Sequence, residues 1–278
     1  MNAIQKQKIA FTAIRIMSWM VVAILITILS FIIWKGSGAI SWNFISKMPS
    51  EGMLGGGIYP AIIGTLCLIG GSMLFAFPIG VCSGIYMNEY LNDGFLRRFI
   101  RLMTDNLAGV PSIVFGLFGM AFFVNRLHFG DSILAGSLTL GLLALPVIIR
   151  TTEEALKAID DSNRHASYAL GASKLYTIKK VILPHAFPQI ITGLILSIGR
   201  VSGETAPILF TVAAYFLPKL PHSLFDQVMA LPYHLYVLST SGTDIDKARP
   251  IAYGTALVLI LIVLICNLIA NLIRNLKK

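Results

Sequence analysis

The feature that most constrains this chain is its long stretches without charge. No charged residue occurs in the 37 positions between Glu51 and Glu89. Of the 278 residues, 56% are hydrophobic and only 13% are charged, whereas a soluble domain carries nearer a quarter charged residues. Because a helix that crosses the hydrocarbon needs about 20 apolar residues and satisfies its own backbone hydrogen bonds, the sequence predicts an all-α integral membrane protein.

Six apolar segments are long enough to span a membrane. They cover residues 16–34, 60–84, 106–125, 132–149, 188–214 and 250–272. The uncharged stretch is too short for two spans with a turn, so it predicts one span in which Pro78 marks a kink or a local break. The first segment is too long for the apolar part of a secretory signal, and we expect it to stay uncleaved. Residues 1–57 then form an N-terminal span with the first external loop, and residues 58–278 form a core domain.

Basic residues are divided unevenly among the connections. The N-terminus, residues 85–105, residues 150–187 and the C-terminus hold 15 Lys or Arg, whereas the other three connections hold 6. Because positive charge accumulates on the cytoplasmic side, this asymmetry predicts that both termini face the cytoplasm. The net charge of +9 is explained by contact with the anionic leaflet, because the basic residues flank apolar spans instead of forming a nucleic-acid patch.

Small residues predict where helices approach one another. Gly80 and Gly84, and likewise Gly199 and Gly203, each lie four positions apart inside an apolar segment, a spacing that favours close helix contact. The three cysteines also lie inside apolar segments, and their spacing indicates neither a metal site nor a disulfide. We expect them to act as small apolar residues, and the sequence indicates no cofactor or metal.

The connection between the fourth and fifth spans, which we call the 150–187 loop, has a pattern of its own. Residues 153–170 predict a helix with acidic residues at its start and Gly171 after its end. A second short amphipathic piece follows, and Pro184 is expected to restrict the chain before the next span. Taken alone, this pattern also fits an ordinary amphipathic helix at the membrane surface.

The spacing within this loop resembles the "EAA" loop in permeases of binding-protein-dependent, ATP-driven importers. The matching residues are Ala166, Ser167, Gly171, Val181, Leu183 and Pro184. The family usually has glutamate where this chain has His165. The resemblance implies a type I importer permease whose coupling helix docks on an ATPase through His165, Ala166, Ser167, Gly171, Leu183 and Pro184. The chain has no G-x-x-x-x-G-K-[ST] motif, so a separate subunit would bind ATP and we expect no catalytic residue here.

Two charged residues, Arg200 and Glu204, lie inside the fifth apolar segment. Each would cost about 2.5–3.5 kcal/mol at mid-membrane, and the spacing of four lets them neutralise one another on a helix. On a continuous helix one polar stripe would contain Gly193, Ser197, Arg200, Glu204, Pro207 and Thr211. Such a stripe favours a water-accessible path, although a structural ion pair between helices is the alternative.

The residues around this pair resemble phosphate importer permeases of the A type. The resemblance is carried by residues 199–211, and also by residues 56–65 and 106–116. It implies a bacterial inner-membrane protein in which Arg200 and Glu204 line the phosphate path, with Ser197 and Thr211 beside them. The implied partners are a homologous C-type permease, two ATP-binding subunits and an external phosphate-binding protein. The external segment 215–250 would help to receive that protein, or would form an interfacial aromatic belt.

Three rival functions remain open. A permease of the same architecture could carry molybdate, sulfate or phosphonate, although the residues around Arg200 favour phosphate. A membrane enzyme is a rival of another class, but the five histidines share no helical face and no metal-ligand spacing. A proton-coupled carrier is the third, and it would need no ATPase.

Overall fold

The chain is built almost entirely from helices, as predicted. The structure, a computed structural model, describes residues 3–240 and 244–275. The helices are α1 Ala3–Ser37, α2 Trp42–Ser46, α3 Tyr59–Ile85, α4 Phe95–Gly109, α5 Ser112–Gly119, α6 Ile133–Lys157, α7 Asp161–Ala169, α8 Lys174–Thr177, α9 Leu183–Gly203, α10 Ala206–Leu209, α11 Leu231–Thr240 and α12 Ile245–Asn275. Three π turns, Tyr86–Tyr90, Met120–Arg126 and Ile178–Ile182, extend or join helices. A short antiparallel pair, β1 Pro49–Ser50 and β2 Gly55–Gly56, flanks a single 3₁₀ turn, Glu51–Met53.

Within the described residues, five continuous helices are long and apolar enough to cross a membrane. They cover Ala10–Ser37, Tyr59–Tyr90, Ile133–Lys157, Lys174–Gly203 and Ile245–Asn275. The predicted span over residues 106–125 is not one continuous helix, because α4 and the helix Ser112–Arg126 meet at an angle of 99°. Pro111 explains the bend, since it forces Val110 into an extended conformation with ψ of 131°. Counting this bent pair as one span gives the six that the sequence predicts.

Close packing of α3 against α6 forms the centre of the molecule. A Cβ atom on Gly84 would lie 2.7 Å from Thr152 Cβ, and one on Gly80 would lie 2.6 Å from Ile148 Cγ2. The helix contact predicted at Gly80 and Gly84 is therefore confirmed. The helix also continues through Pro78, so of the two predicted alternatives, a kink or a local break, the break is absent.

Two further helices complete the arrangement. Helix α9 packs on α6, where Gly193 lies against the side chain of Thr151. Helix α1 packs along α12, and none of its most apolar 18-residue window is buried within the chain. The division at residues 57 and 58 stays a prediction, as does the orientation of the two termini, whose last residues lie outside the described part.

The 150–187 loop differs from its predicted form in two places. The predicted helix over 153–170 is divided, because Asp160 accepts a hydrogen bond from the Ser162 N–H (2.7 Å) and starts α7 as a new helix. The second short piece is not separated from the next span, because the π turn Ile178–Ile182 joins α8 to α9; Pro184, expected to restrict the chain there, falls in the first turn of α9.

The glycine corner of this loop is confirmed. Gly171 has a φ of +82°, a left-handed conformation that favours glycine. Its N–H donates to the carbonyl oxygen of Tyr168 (2.9 Å), and the N–H of Ala172 donates to that of Ser167 (3.2 Å). These two bonds form a Schellman motif, which ends α7 and turns the chain towards α8.

Candidate functional site

The charged pair of the fifth span lies where α9 ends. Arg200 is in the last turn of the helix, and Glu204 follows Gly203 in an extended conformation with ψ of 125°. Pro207 explains the ending, because it has no N–H to donate to the Gly203 carbonyl and its ring would clash with that group. The predicted continuous span over 188–214 is therefore wrong, but Arg200 Nε still lies 3.8 Å from Glu204 Oε1.

Because the helix ends there, the predicted polar stripe is not a single surface. The side chains of Arg200 and Glu204 are 34% and 19% exposed, whereas Ser197 and Thr211 have no accessible surface. Thr211 Oγ1 donates to the Pro207 carbonyl oxygen (2.8 Å), and among the described residues Ser197 Oγ has no hydrogen-bond partner. The structure thus brings Arg200 and Glu204 together and leaves Ser197 and Thr211 in the packed interior.

An open face lies beside Arg200, and the sequence analysis did not find it. No atom of the described residues comes within 4 Å of a Cβ built on Gly199 or Gly203, and Leu196 on the same face is 55% exposed. Among residues 3–240 and 244–275, the helix contact predicted for Gly199 and Gly203 is therefore absent. The sequence could have indicated this open face, because residues 196, 199, 200 and 203 lie on the same side of an α-helix.

Glu204 also borders the interior of the molecule. With Ser202, Thr65 and the residues that start α11, it lines a cavity of about 10 Å³, which is room for a single water molecule. Thr65 Oγ1 in turn accepts a hydrogen bond from the Leu231 N–H (2.8 Å). The carboxylate therefore lies between a partly exposed guanidinium and a small, mostly apolar cavity that also borders α3 and α11.

The 150–187 loop presents a second candidate site, far along the chain from Arg200. His165 and Ala166 are exposed on α7, whereas Ser167 is buried and its hydroxyl lies 2.8 Å from that of Thr177. Leu170, before the glycine corner, is 90% exposed. A cleft of about 730 Å³ lies along this surface, and its lining includes Ala166, Ser167, Leu170, Gly171, Tyr176 and Val181. Tyr168, Leu175 and Tyr176 of the same loop are exposed as well, and an exposed apolar patch of this kind is typical of a protein-docking surface.

The predicted docking residues are not all on this cleft. Leu183 and Pro184 lie at the start of α9, where they line a separate groove of about 550 Å³ together with Phe77, Lys179 and others. Three of the six predicted residues, Ala166, Ser167 and Gly171, therefore line this cleft, and His165 is exposed on α7 outside its lining. The other two lie at the foot of the fifth span.

Buried ion pairs surround the base of the loop, and the sequence analysis missed them. Arg164 Nη2 lies 2.7 Å from Glu89 Oε1, and their side chains are 14% and 5% exposed. The hydrogen bond from this guanidinium to Glu89 raises the pKa of Arg164 above its usual value. Glu153 is also buried and pairs with Lys157 (2.8 Å) and with Arg101 of α4. The partners 89 and 164 are 75 positions apart, so no local spacing indicates this pair.

Comparison with known proteins agrees with this architecture. Residues 76–276 match the family described as "Binding-protein-dependent transport system inner membrane component". The probable ABC transporter permease protein YqgI of Bacillus subtilis is 36% identical over 95% of this chain and 93% of its own length. The phosphate transport system permease protein PstA of Mycobacterium leprae is 39% identical over 86% of this chain and 79% of its own length.

Solved structures share the fold at low sequence identity. An inward-facing MetNI methionine ABC transporter chain matches with a TM-score of 0.65 and 18% identity, over 82% of this chain and 99% of its own. A bacterial alginate ABC transporter chain matches with a TM-score of 0.66 and 16% identity, over 99% of this chain and 97% of its own. Because the family match covers most of the residues and its relatives extend over nearly all of them, this chain is a member of the inner membrane component family of binding-protein-dependent transport systems.

Proposed function

We propose that this chain is the A-type permease subunit of an ATP-driven phosphate importer and forms half of the translocation path. What supports this most is the 39% identity to a phosphate transport permease over 86% of the chain. The partly exposed Arg200 at the end of α9 adds a chemical reason. A guanidinium offers a planar fork of donors that matches the oxygens of phosphate.

A single arginine suits a path better than a storage site. One guanidinium attracts the anion, but a cluster would bind it too tightly for release. Glu204, at 3.8 Å, holds the side chain of Arg200 in place and moderates its charge. Its carboxylate could also accept a hydrogen bond from the P–OH group of phosphate and repel an anion without a proton. We favour the holding role, because an external binding protein already selects the ion.

The partners follow from the two surfaces. The open face with Leu196, Gly199 and Gly203 would meet a homologous C-type permease and enclose the path beside Arg200. The cleft between Ala166 and Tyr176 would receive one of two ATP-binding subunits, and a phosphate-binding protein would dock on the opposite side of the membrane. Both termini and the 150–187 loop would then lie in the cytoplasm.

The test of the path uses the whole complex in vesicles. Arg200→Ala should lower phosphate uptake about 10- to 100-fold, because a hydrogen bond to a charged group contributes about 1.5–3 kcal/mol. Arg200→Lys should restore little, since the ammonium lacks the fork. Arg126→Ala, at an exposed arginine outside the site, is the matched control and should leave uptake unchanged. Normal uptake by Arg200→Ala would remove Arg200 from the path.

A second variant separates the two roles of the carboxylate. If Glu204 only holds Arg200, Glu204→Gln should slow phosphate uptake and leave discrimination among anions unchanged. If the carboxylate filters, vesicles with Glu204→Gln should also admit sulfate when the anion is supplied directly. Preferential uptake of molybdate, sulfate or phosphonate by the unaltered complex would instead assign the chain to another oxyanion.

The orientation is tested by chemical labelling from one side. In a background without native cysteine, Ser173→Cys should react with a membrane-impermeant maleimide only from the cytoplasm, and Ser223→Cys only from outside. Both serines are exposed and lie in connections on opposite sides of the predicted topology. The reverse pattern of labelling would overturn the orientation and the ATPase-docking role of the loop.

A further inference from the structure

One guanidinium joins three parts of the molecule at the base of the 150–187 loop. Arg164 belongs to α7, and its Nη2 donates to Glu89 Oε1 (2.7 Å), in the π turn that extends α3. The same group donates to the carbonyl oxygens of Leu156 (3.0 Å), at the end of α6, and Ile159 (3.1 Å), in the linker. Arg164 therefore fixes α7 to α6 and to α3 at once.

The contact with Glu89 differs from the other two because it joins α7 to α3, whereas Leu156 and Ile159 belong to the segment that leads directly into α7. Helix α6 continues into α7 through three residues, and α8 continues into α9, so both spans follow the loop through the backbone. Helix α3 is not continuous with the loop; its π turn contacts the loop through side chains, Glu89 with Arg164 (2.7 Å) and the Tyr90 ring with Lys174 Nζ (4.7 Å to the ring centroid). Glu89 is held for this contact by a hydrogen bond from Asn88 Nδ2 (2.8 Å), and its side chain is only 5% exposed.

Because the Glu89–Arg164 pair is largely buried, it is costly to disrupt and its geometry is restricted. A buried ion pair loses far more than a surface pair when one partner is removed, because an uncompensated charge remains. The guanidinium also approaches both oxygens of the carboxylate, with Nε 3.5 Å from Oε2, which restricts its orientation. Arg164 has a second carboxylate partner, Asp161 at 3.0 Å, but that side chain is 80% exposed and belongs to α7 itself.

Helix α3 connects this contact to the candidate path. It packs closely on α6 at Gly80 and Gly84, and near its other end Thr65 binds the backbone of Leu231 (2.8 Å). Thr65 also lines the small cavity beside Glu204. A displacement of the π turn at Glu89 would therefore be carried along one continuous helix to the residues around Glu204.

We propose that the Glu89–Arg164 pair is the joint through which movement of the 150–187 loop reaches α3. Both are positioning residues: they touch neither substrate nor nucleotide, and they act by making α3 follow α7. This inference rests on the proposed function, because it assumes that an ATPase moves the loop.

The experiment uses the complete complex in vesicles, with ATPase activity measured with and without phosphate-loaded binding protein. Glu89→Gln should keep basal ATPase activity and the co-purified ATPase subunit, but lower the stimulation about tenfold. Asp161→Asn is the matched control, since it removes the exposed carboxylate from the same guanidinium, and it should leave stimulation unchanged. A purely structural role would lower assembly or basal activity together with stimulation.

A double-mutant cycle tests whether the two residues act as a pair. Glu89→Gln combined with Arg164→Gln should lower stimulation no further than the more damaging single variant, because one interaction cannot be lost twice. The proposal is overturned if the fold-losses of stimulation in the two single variants multiply in the double variant, or if Glu89→Gln and Asp161→Asn lower stimulation equally. If Glu89→Gln fails to assemble, Glu89→Asp keeps the charge but lengthens the 2.7 Å contact, and full stimulation would then overturn the proposal. No stimulation of the unaltered complex by any phosphate-loaded binding protein would instead refute the proposed function.

Discussion

Replacing Gly84 with alanine tests the contact between α3 and α6, and Gly70→Ala is its matched control. A Cβ on Gly84 would lie 2.7 Å from Thr152 Cβ and 2.8 Å from Thr152 Cγ2, whereas one on Gly70 meets no atom of the described residues within 4 Å. Ordinary contact begins near 3.4 Å, so the helices must part locally by about 0.7 Å. Thr152 cannot rotate away easily, because its β-branched side chain has one or two allowed rotamers in a helix.

The expected magnitude follows from two opposing effects. Overpacking a close contact costs about 1–3 kcal/mol, and alanine in place of glycine gains up to about 1 kcal/mol of helix propensity. Gly70→Ala should show only the gain, so Gly84→Ala should be less stable than this control by about 1–3 kcal/mol. For a chain of this size, a gap of about 2 kcal/mol corresponds to roughly 4–8 °C in melting temperature.

The assay is thermal unfolding of both variants in lipid nanodiscs, followed by far-ultraviolet circular dichroism. Each variant is compared with the unaltered chain at the same lipid composition, so the bilayer contribution cancels. Equal melting temperatures for Gly84→Ala and Gly70→Ala would refute the close approach of α3 and α6 at Thr152. A lower melting temperature for Gly70→Ala than for Gly84→Ala would do the same.

Two further predictions concern backbone strain and buried charge. Gly171→Ala should lower the free energy of unfolding by about 1–2 kcal/mol, because a φ of +82° strains a residue with a Cβ even in open space. Gly109→Ala, which is also in open space but has no positive φ, is the control and should leave stability unchanged. Equal melting temperatures for the two variants would contradict the left-handed conformation at Gly171. Burial lowers the pKa of His234 in α11 to about 4, so the unfolded chain takes up a proton below about pH 6.5 and the folded chain does not. Stability should therefore fall as the pH drops from 6.5 towards 4, by about 1.4 kcal/mol per unit, and His234→Phe should flatten this slope in melting curves between pH 7 and 5.

The sequence predicts the features that local chemistry determines. The length of the apolar segments follows from the thickness of the bilayer, and the corner at Gly171 follows from the need for a left-handed residue after a helix. The close approach at Gly80 and Gly84 is also a local pattern. Each of these needs only the neighbouring residues, so one sequence is sufficient.

Other features depend on residues that lie far apart or on signals that compete. The end of α9 could have been found, because Pro207 follows Gly203 by four positions, but the apolar pattern around it favours a continuous span. The burial of Ser197 and Thr211 depends on how α9 and α10 pack, which periodicity does not determine. The Glu89–Arg164 pair joins two segments separated by 75 positions, and only the folded chain brings them together.

The continuity of α8 and α9 gives this part of the chain the properties of a lever. The rod runs from Lys174 to Gly203, and at Gly193 it lies so close to Thr151 of α6 that a Cβ atom would not fit, which makes that residue a natural pivot. At 1.5 Å per residue, the arm towards Lys174 is about 28 Å long and the arm towards Arg200 about 10 Å. A movement of about 3 Å at the loop would thus arrive as about 1 Å at Arg200, with a corresponding gain in force. Arg200 Nε lies 3.8 Å from Glu204 Oε1, beyond hydrogen-bond distance, so a shift of that size is enough to bring the two groups into a hydrogen bond.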